Sequence, residues 1–146
     1  MDEFDVAYAV SDLHLGGSDE RRIFNQGELM RAALQVIADD ARGRRVLLVL
    51  NGDLVDFLAV EGATYFDPDG ALTKLARVAG DDGFKPVFDG LAEVADAGGT
   101  VVLTLGNHDI ELTRPACRIW LEERITRNGA AKGRLVLALD GRGYRC

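Results

Sequence analysis

The run Arg45-Val46-Leu47-Leu48-Val49-Leu50 is apolar at every position after its first, with no alternation to mark a solvent side. A strand of that kind asks to be covered on both faces, as in a parallel sheet flanked by helices. Phe4-Asp5-Val6-Ala7-Tyr8-Ala9-Val10, Thr100-Val101-Val102-Leu103-Thr104-Leu105 and Leu135-Val136-Leu137-Ala138-Leu139 read as further strands. Between them lie helical stretches. Gln26 to Ala41 repeats Leu29, Ala33, Val36 and Ile37 at helical spacing, and Gly43 supplies a stop. Pro86 opens a helix carrying Val87, Leu91, Val94 and Ala95, ended by Gly98-Gly99, and Pro115 opens another that runs to about Arg127. The least regular stretch, Tyr65 to Gly83, has room for a short helix around Leu72 to Val78. The order βαβαβαβ predicts an α/β fold with a largely parallel central sheet and right-handed crossovers.

Composition sets the scale. The chain has 146 residues, 47% apolar and 28% charged, which suits one globular domain over 1–146, and it shows no internal repeat or linker. Seventeen Lys and Arg against twenty-four Asp and Glu leave a formal charge of -7, which disfavours non-specific contact with nucleic acid or an anionic membrane. An acidic chain acting on a phosphate therefore needs bound cations to reverse its local field. Met1-Asp2-Glu3-Phe4-Asp5 has no basic region, and the apolar run after it is too short for a signal or membrane helix, so a cytoplasmic location is expected. Cys117 and Cys146 make neither a disulfide framework nor a zinc spacing and read as ordinary thiols.

Function enters where the strands end. In a parallel sheet the carboxyl ends of the strands share one edge, so three loops should converge there: Ser11-Asp12-Leu13-His14, Asn51-Gly52-Asp53-Leu54-Val55-Asp56 and Gly106-Asn107-His108-Asp109. If the first strand stays extended through its loop, Asp12 and His14 project to one side and can grip an ion. A carboxylate beside an imidazole suits Mn, Fe or Zn and tolerates Mg. In isolation the pair is explained as well by a surface Asp and a solvated His. Gly52 lets the chain leave the second strand sharply, so the Asp53 carboxylate can bridge two cations roughly 3.5–4 Å apart. Asp56, one turn on, can support the site by hydrogen bonds, although a turn Asp and a helix cap would account for the same spacing. Asn107 offers a neutral amide oxygen to a metal, and His108 points a near-neutral imidazole at substrate. Asp109 is then expected to orient that ring and raise its basicity. An Asx turn with a buried structural His is the plainer alternative.

Taken together, Asp12-x-His14, Gly52-Asp53-x-x-Asp56 and Gly106-Asn107-His108-Asp109 resemble the first three signature blocks of the calcineurin-like metallophosphoesterases. The form of the first two blocks is most similar to the bacterial branch that includes the UDP-2,3-diacylglucosamine pyrophosphohydrolases. The resemblance implies the amino-terminal part of a four-layer αββα sandwich. It implies two divalent metal ions, Mn foremost, with Asp12, His14 and Asp53 on one and Asp53 and Asn107 on the other. His108 and Asp109 would be the catalytic pair, and a metal-bridging hydroxide would hydrolyse phosphoester or pyrophosphate bonds while His108 assists the leaving group. The implied substrates are phosphorylated small molecules, nucleotide sugars or lipid-linked precursors, the last bringing peripheral contact with a membrane.

The resemblance spans roughly Val6 to Ile110. The later blocks of the family supply further metal histidines, and this sequence holds two in all, His14 and His108. Four protein ligands would then serve two metals that ordinarily share about seven. One expectation is a metallophosphoesterase domain cut short on its carboxyl-terminal side, the closing Gly141-Arg142-Gly143-Tyr144-Arg145-Cys146 resembling a hairpin turn and an interrupted strand. Another is a non-catalytic binding or scaffold module, or an inactive fragment, of the same fold, with an exposed sheet face offering a surface for self-association. A receiver-like domain holding one Mg in an acidic pocket uses Asp12 and Asp53 but leaves His14, Asn107 and His108 idle.

Overall fold

The computed structural model describes residues 3–60, 62 and 65–139, so the turn and strand expected within 141–146 lie outside the described residues. Strands β1 (Val6–Val10), β2 (Val46–Asn51), β3 (Thr100–Thr104) and β4 (Leu135–Leu137) form one sheet in the order β1-β2-β3-β4, parallel throughout. Helices α1 (Gly27–Ala41), α2 (Ala71–Gly80), α3 (Lys85–Asp96) and α4 (Pro115–Ile125) make the crossovers. The α/β class with a parallel sheet is as expected. The crossover between β2 and β3 holds two helices, α2 filling the stretch around Leu72 to Val78, and the order becomes βαβααβαβ.

Because each crossover steps to the adjacent strand in one direction, a constant crossover hand stacks the helices on a single face. The core agrees with that rule. Val6, Tyr8 and Val10, Val46, Leu48 and Leu50, Val101 and Leu103, and Leu135 and Leu137 align in register and pack with the helices in one cluster. From the helices come chiefly Leu34 and Ile37 of α1, Leu75 of α2, Phe88 and Leu91 of α3, and Leu121 of α4. The alternate residues Leu47 and Val102 are buried outside this cluster, on the opposite face of the sheet.

The face of α1 differs from the expected one. Leu29 and Val36 are 67% and 64% exposed, and Ala33 is exposed, so of the four residues expected inside only Ile37 is buried. The helix carries two apolar stripes, and the one formed by Leu34, Ile37, Ala38 and Ala41, spaced i, i+3, i+4, i+7, is the one that meets the sheet and α3. Its crossing with α3 is close because Gly90 lacks a side chain: a Cβ there would lie 2.8 Å from Leu34 Cδ1 and 3.0 Å from Leu34 Cβ. Val87, Leu91, Val94 and Ala95 of α3 are all buried, as the sequence predicts. An ion-pair clamp joins α3 to α4, with Asp89 accepting from Arg124 at 2.5 Å and from Lys85 at 2.7 Å. No helix among the described residues is long and apolar enough to cross a membrane.

Alanine in place of a helical glycine ordinarily stabilises by up to about 1 kcal/mol. At Gly90 the overlap with Leu34 should reverse the sign, and Gly90→Ala is expected to cost about 1–3 kcal/mol. Gly80→Ala, at a position with open space around the added carbon, should be neutral or slightly stabilising. Urea denaturation of the two variants beside the parent chain measures both.

Candidate metal centre

All three sequence loops do leave the carboxyl edge of the sheet, and backbone hydrogen bonds lace them together. Asp12 N donates to Gly52 O, His14 N to Asp53 O and Leu15 N to Leu54 O, and Asp56 N returns to Leu15 O. Leu15 and Val55 form a parallel bridge, so the first two loops prolong the β1–β2 pairing past the strands. Phe57 N donates to His108 O, which draws in the third loop.

The path through the first loop is not the extended one expected. Asp12 has φ 56° and His14 φ 48°, both left-handed, and Asp53 matches them at φ 52°. Left-handed backbone costs a residue with a Cβ roughly 1–2 kcal/mol, and such strain persists where surrounding bonds enforce it. Here it aims the side chains: His14 Nε2 comes within 3.9 Å of Asp12 Oδ1 and 4.0 Å of Asp53 Oδ2. Two bonds of roughly 2.1 Å from a shared ion span at most about 4.2 Å, so these donors fit one divalent cation with little movement. Asp12, His14 and Asp53 form one group of potential ligand atoms lying within 4.8 Å of one another, and His14, Asp56 and His108 form another.

Asp56 occupies a more central place than the supporting one first assigned to it. Its Oδ1 accepts from Leu58 N and Ala59 N, both at 3.0 Å, and lies 3.0 Å from His108 Nδ1. Its Oδ2 stands 3.6 Å from His14 Nδ1, beyond a hydrogen bond, which leaves that buried nitrogen unpartnered among the described residues. The imidazoles of His14 and His108 meet edge to face, 4.7 Å between centroids. The hydrogen bond to Asp56 raises the His108 pKa above the ordinary imidazole value, against the opposing effect of burial and with help from the Asp56, Asp53 and Asp109 charges.

Asp109 does not orient His108. Its carboxylate is fully buried and accepts from Leu54 N at 2.9 Å and Gly106 N at 2.7 Å, so it ties the second loop to the third. Burial raises its pKa, while the backbone donors of Gly106, Leu54 and Val55 pull the other way. The expected division of labour is thus exchanged: Asp56 holds the ring and Asp109 holds the loops. Asp53 Oδ1 accepts from His108 N at 2.9 Å. Asn107, the residue before His108, is exposed and makes no hydrogen bond among the described residues.

Two glycines matter here in ways the sequence marked only faintly. A Cβ on Gly106 would overlap the Asp53 carboxylate, and one on Gly16 would overlap the Asp56 carbonyl oxygen. The glycine that opens Gly106-Asn107-His108-Asp109 and the Gly16-Gly17 pair after His14 were the available signals.

Two outcomes test this geometry. Asp12 is strained and its side chain is 67% exposed, so Asp12→Gly should stabilise the metal-free chain by up to about 1 kcal/mol and, if the cluster takes up Mn2+, weaken that binding. Denaturant midpoints with and without Mn2+ measure both effects, and a large loss of metal-free stability would contradict the strain. With only two histidines in the chain, nitrogen-detected NMR titration can follow His108 alone. Its midpoint should lie above the ordinary value of 6.5 and fall in Asp56→Asn. Since the folded value is raised, the pair stabilises the metal-free fold fully below pH 6.5 and loses that contribution as pH climbs through the folded value.

Compared with known proteins, the chain matches no protein-family model and no curated protein.

Proposed function

We propose that this chain is a metal-dependent phosphoesterase of the calcineurin-like type, hydrolysing phosphoester or pyrophosphate bonds. The observation that carries the reading is the Asp12–His14–Asp53 cluster, in which three left-handed residues from two loops converge their donor atoms on one point. Strain of that kind concentrates at functional sites, and hard oxygen and imidazole donors suit Mn2+, with Fe, Zn2+ or Mg2+ as alternatives.

Asp12, His14 and Asp53 would hold one cation, and Asp53, with Asn107 turned inward, a second. Bound there, divalent cations would neutralise the phosphate and lower the pKa of an attacking water. The remaining work falls to the chain's own groups. Asp56 engages Nδ1 of His108, which leaves Nε2 free to donate a proton to the departing alkoxide. Asp109 keeps the loop bearing His108 fixed against Leu54. In an αββα sandwich a second sheet would lie over the face that carries Leu47 and Val102. Fitting substrates are small phosphorylated molecules, nucleotide sugars or lipid-linked precursors.

One observation favours a second reading, a binding module without catalysis: with two histidines in all, both already placed, the donor set is small for two metals. Calorimetric titration with Mn2+ and hydrolysis of a generic aryl phosphodiester separate the two. The phosphoesterase reading expects Mn2+ binding that Asp53→Asn weakens at least about a hundredfold. It also expects turnover that His108→Ala lowers by about 10²–10⁴-fold with Mn2+ still bound. Absence of Mn2+ binding would sink it, and binding without any hydrolysis would favour the module.

A further inference from the structure

At the other end of the sheet, where the strands begin, the structure forms an open cavity of about 990 Å3 between the β1–β2 side and the turn before β4. Five cations line it, Arg42, Arg44, Arg45, Lys132 and Arg134, against the carboxylates Glu3 and Asp5, an excess of three positive charges in a chain of net charge -7. Three of the cations are tethered. Arg45 grips Asp5 at 3.0 Å, Arg44 pairs with Asp40 and Arg42 with Asp39. Lys132 and Arg134 are exposed and make no ion pair among the described residues.

Two neighbouring cations without carboxylate partners, as Lys132 and Arg134 are among the described residues, repel one another unless an anion lies between them. The tethering carboxylates hold the arginines in place; with Asp39 and Asp40 counted, five cations face four carboxylates, and the positive charge left over sits at Lys132 and Arg134. Lys132 and Arg134 flank Gly133, and neither Gly133 nor Gly43 on the opposite wall has any atom within 4 Å of where a side chain would begin. A ligand can therefore reach the backbone on both sides. Guanidinium groups match phosphate oxygens in pairs, and an ammonium adds a point charge. We propose that this cavity is an anion site for a small molecule bearing a polyphosphate group, with Lys132 and Arg134 as its principal ligands. It stands a strand's length, roughly 16 Å, from the acidic cluster and does not rest on the phosphoesterase reading.

The test is calorimetric titration of inorganic tripolyphosphate into the chain after dialysis against EDTA. Saturable binding is expected, weakened about tenfold or more in Lys132→Ala/Arg134→Ala and further in Lys132→Glu/Arg134→Glu. Raising salt from about 50 mM to 500 mM should also weaken it about tenfold. Asp53→Asn should leave the affinity within about twofold. Absence of saturable binding overturns the proposal, as does affinity equal to the parent's in both double variants. A change in affinity well beyond twofold in Asp53→Asn, with parent affinity in the double variants, would place the anion at the other end of the sheet and overturn it equally. Both substituted side chains are exposed and make no ion pair among the described residues, so the variants should keep the parent's circular dichroism.

Discussion

The Asp109 carboxylate is fully buried, yet both of its oxygens are occupied by backbone N–H groups, Leu54 from the second loop and Gly106 from the third. A buried carboxylate without partners would cost several kcal/mol, and here the donors that offset this cost come from two separate loops. Parting the two loops would strand Leu54 N and one oxygen of the buried carboxylate. The meeting of the second and third loops depends on this tie. It sets Gly106 so close to Asp53 that no side chain fits between them, and it brings His108 N onto Asp53 Oδ1. It also leaves the His108 ring within reach of Asp56.

A fastening of this kind explains how three left-handed residues survive in one small region. The first loop has no carboxylate staple of its own; it is bound along its length by donations from Asp12, His14 and Leu15 to carbonyls of the second loop. These hydrogen bonds extend parallel pairing beyond β1 and β2 into backbone that is no longer extended, so the strain is imposed by the sheet's continuation. The donors are thus placed by the fold itself, so any cation taken up there would find them already oriented. Preorganisation of that sort transfers the cost of orienting ligands from binding to folding.

Much of this was legible in the sequence, for physical reasons that differ by element. The strands were legible because continuous apolar runs report burial directly, and once the strands are parallel the three polar loops must share an edge. The buried face of α3 was legible because Val87, Leu91, Val94 and Ala95 leave a single choice. That of α1 was not, since two apolar stripes compete and tertiary packing selects one. Within the site, the residues that gather were readable, but their pairing was not. Whether Asp56 or Asp109 faces His108 depends on side-chain directions from loop backbone, and there neither the strand period of two nor the helix period applies. The left-handed turn at Asp12 breaks the alternation that placed it beside His14, and the two approach through a different path to a similar end.

The two ends of the sheet carry opposite charge, and the parallel topology is what keeps them apart. Asp12, Asp53, Asp56 and Asp109 gather where the strands end, while arginines gather where they begin. In a parallel sheet every strand presents the same terminus to the same edge, so a bias in the residues that follow strands becomes a pole instead of averaging out, as alternating strand directions would make it do. At the acidic pole the metal-free chain answers in the one way open to it: Asp56 and its neighbours hold a proton on His108 above the ordinary imidazole range. The same field repels any phosphate. A divalent cation between Asp12, His14 and Asp53 would oppose both effects at once, so that binding one there would lower the proton affinity of His108 and raise the attraction for an anion together.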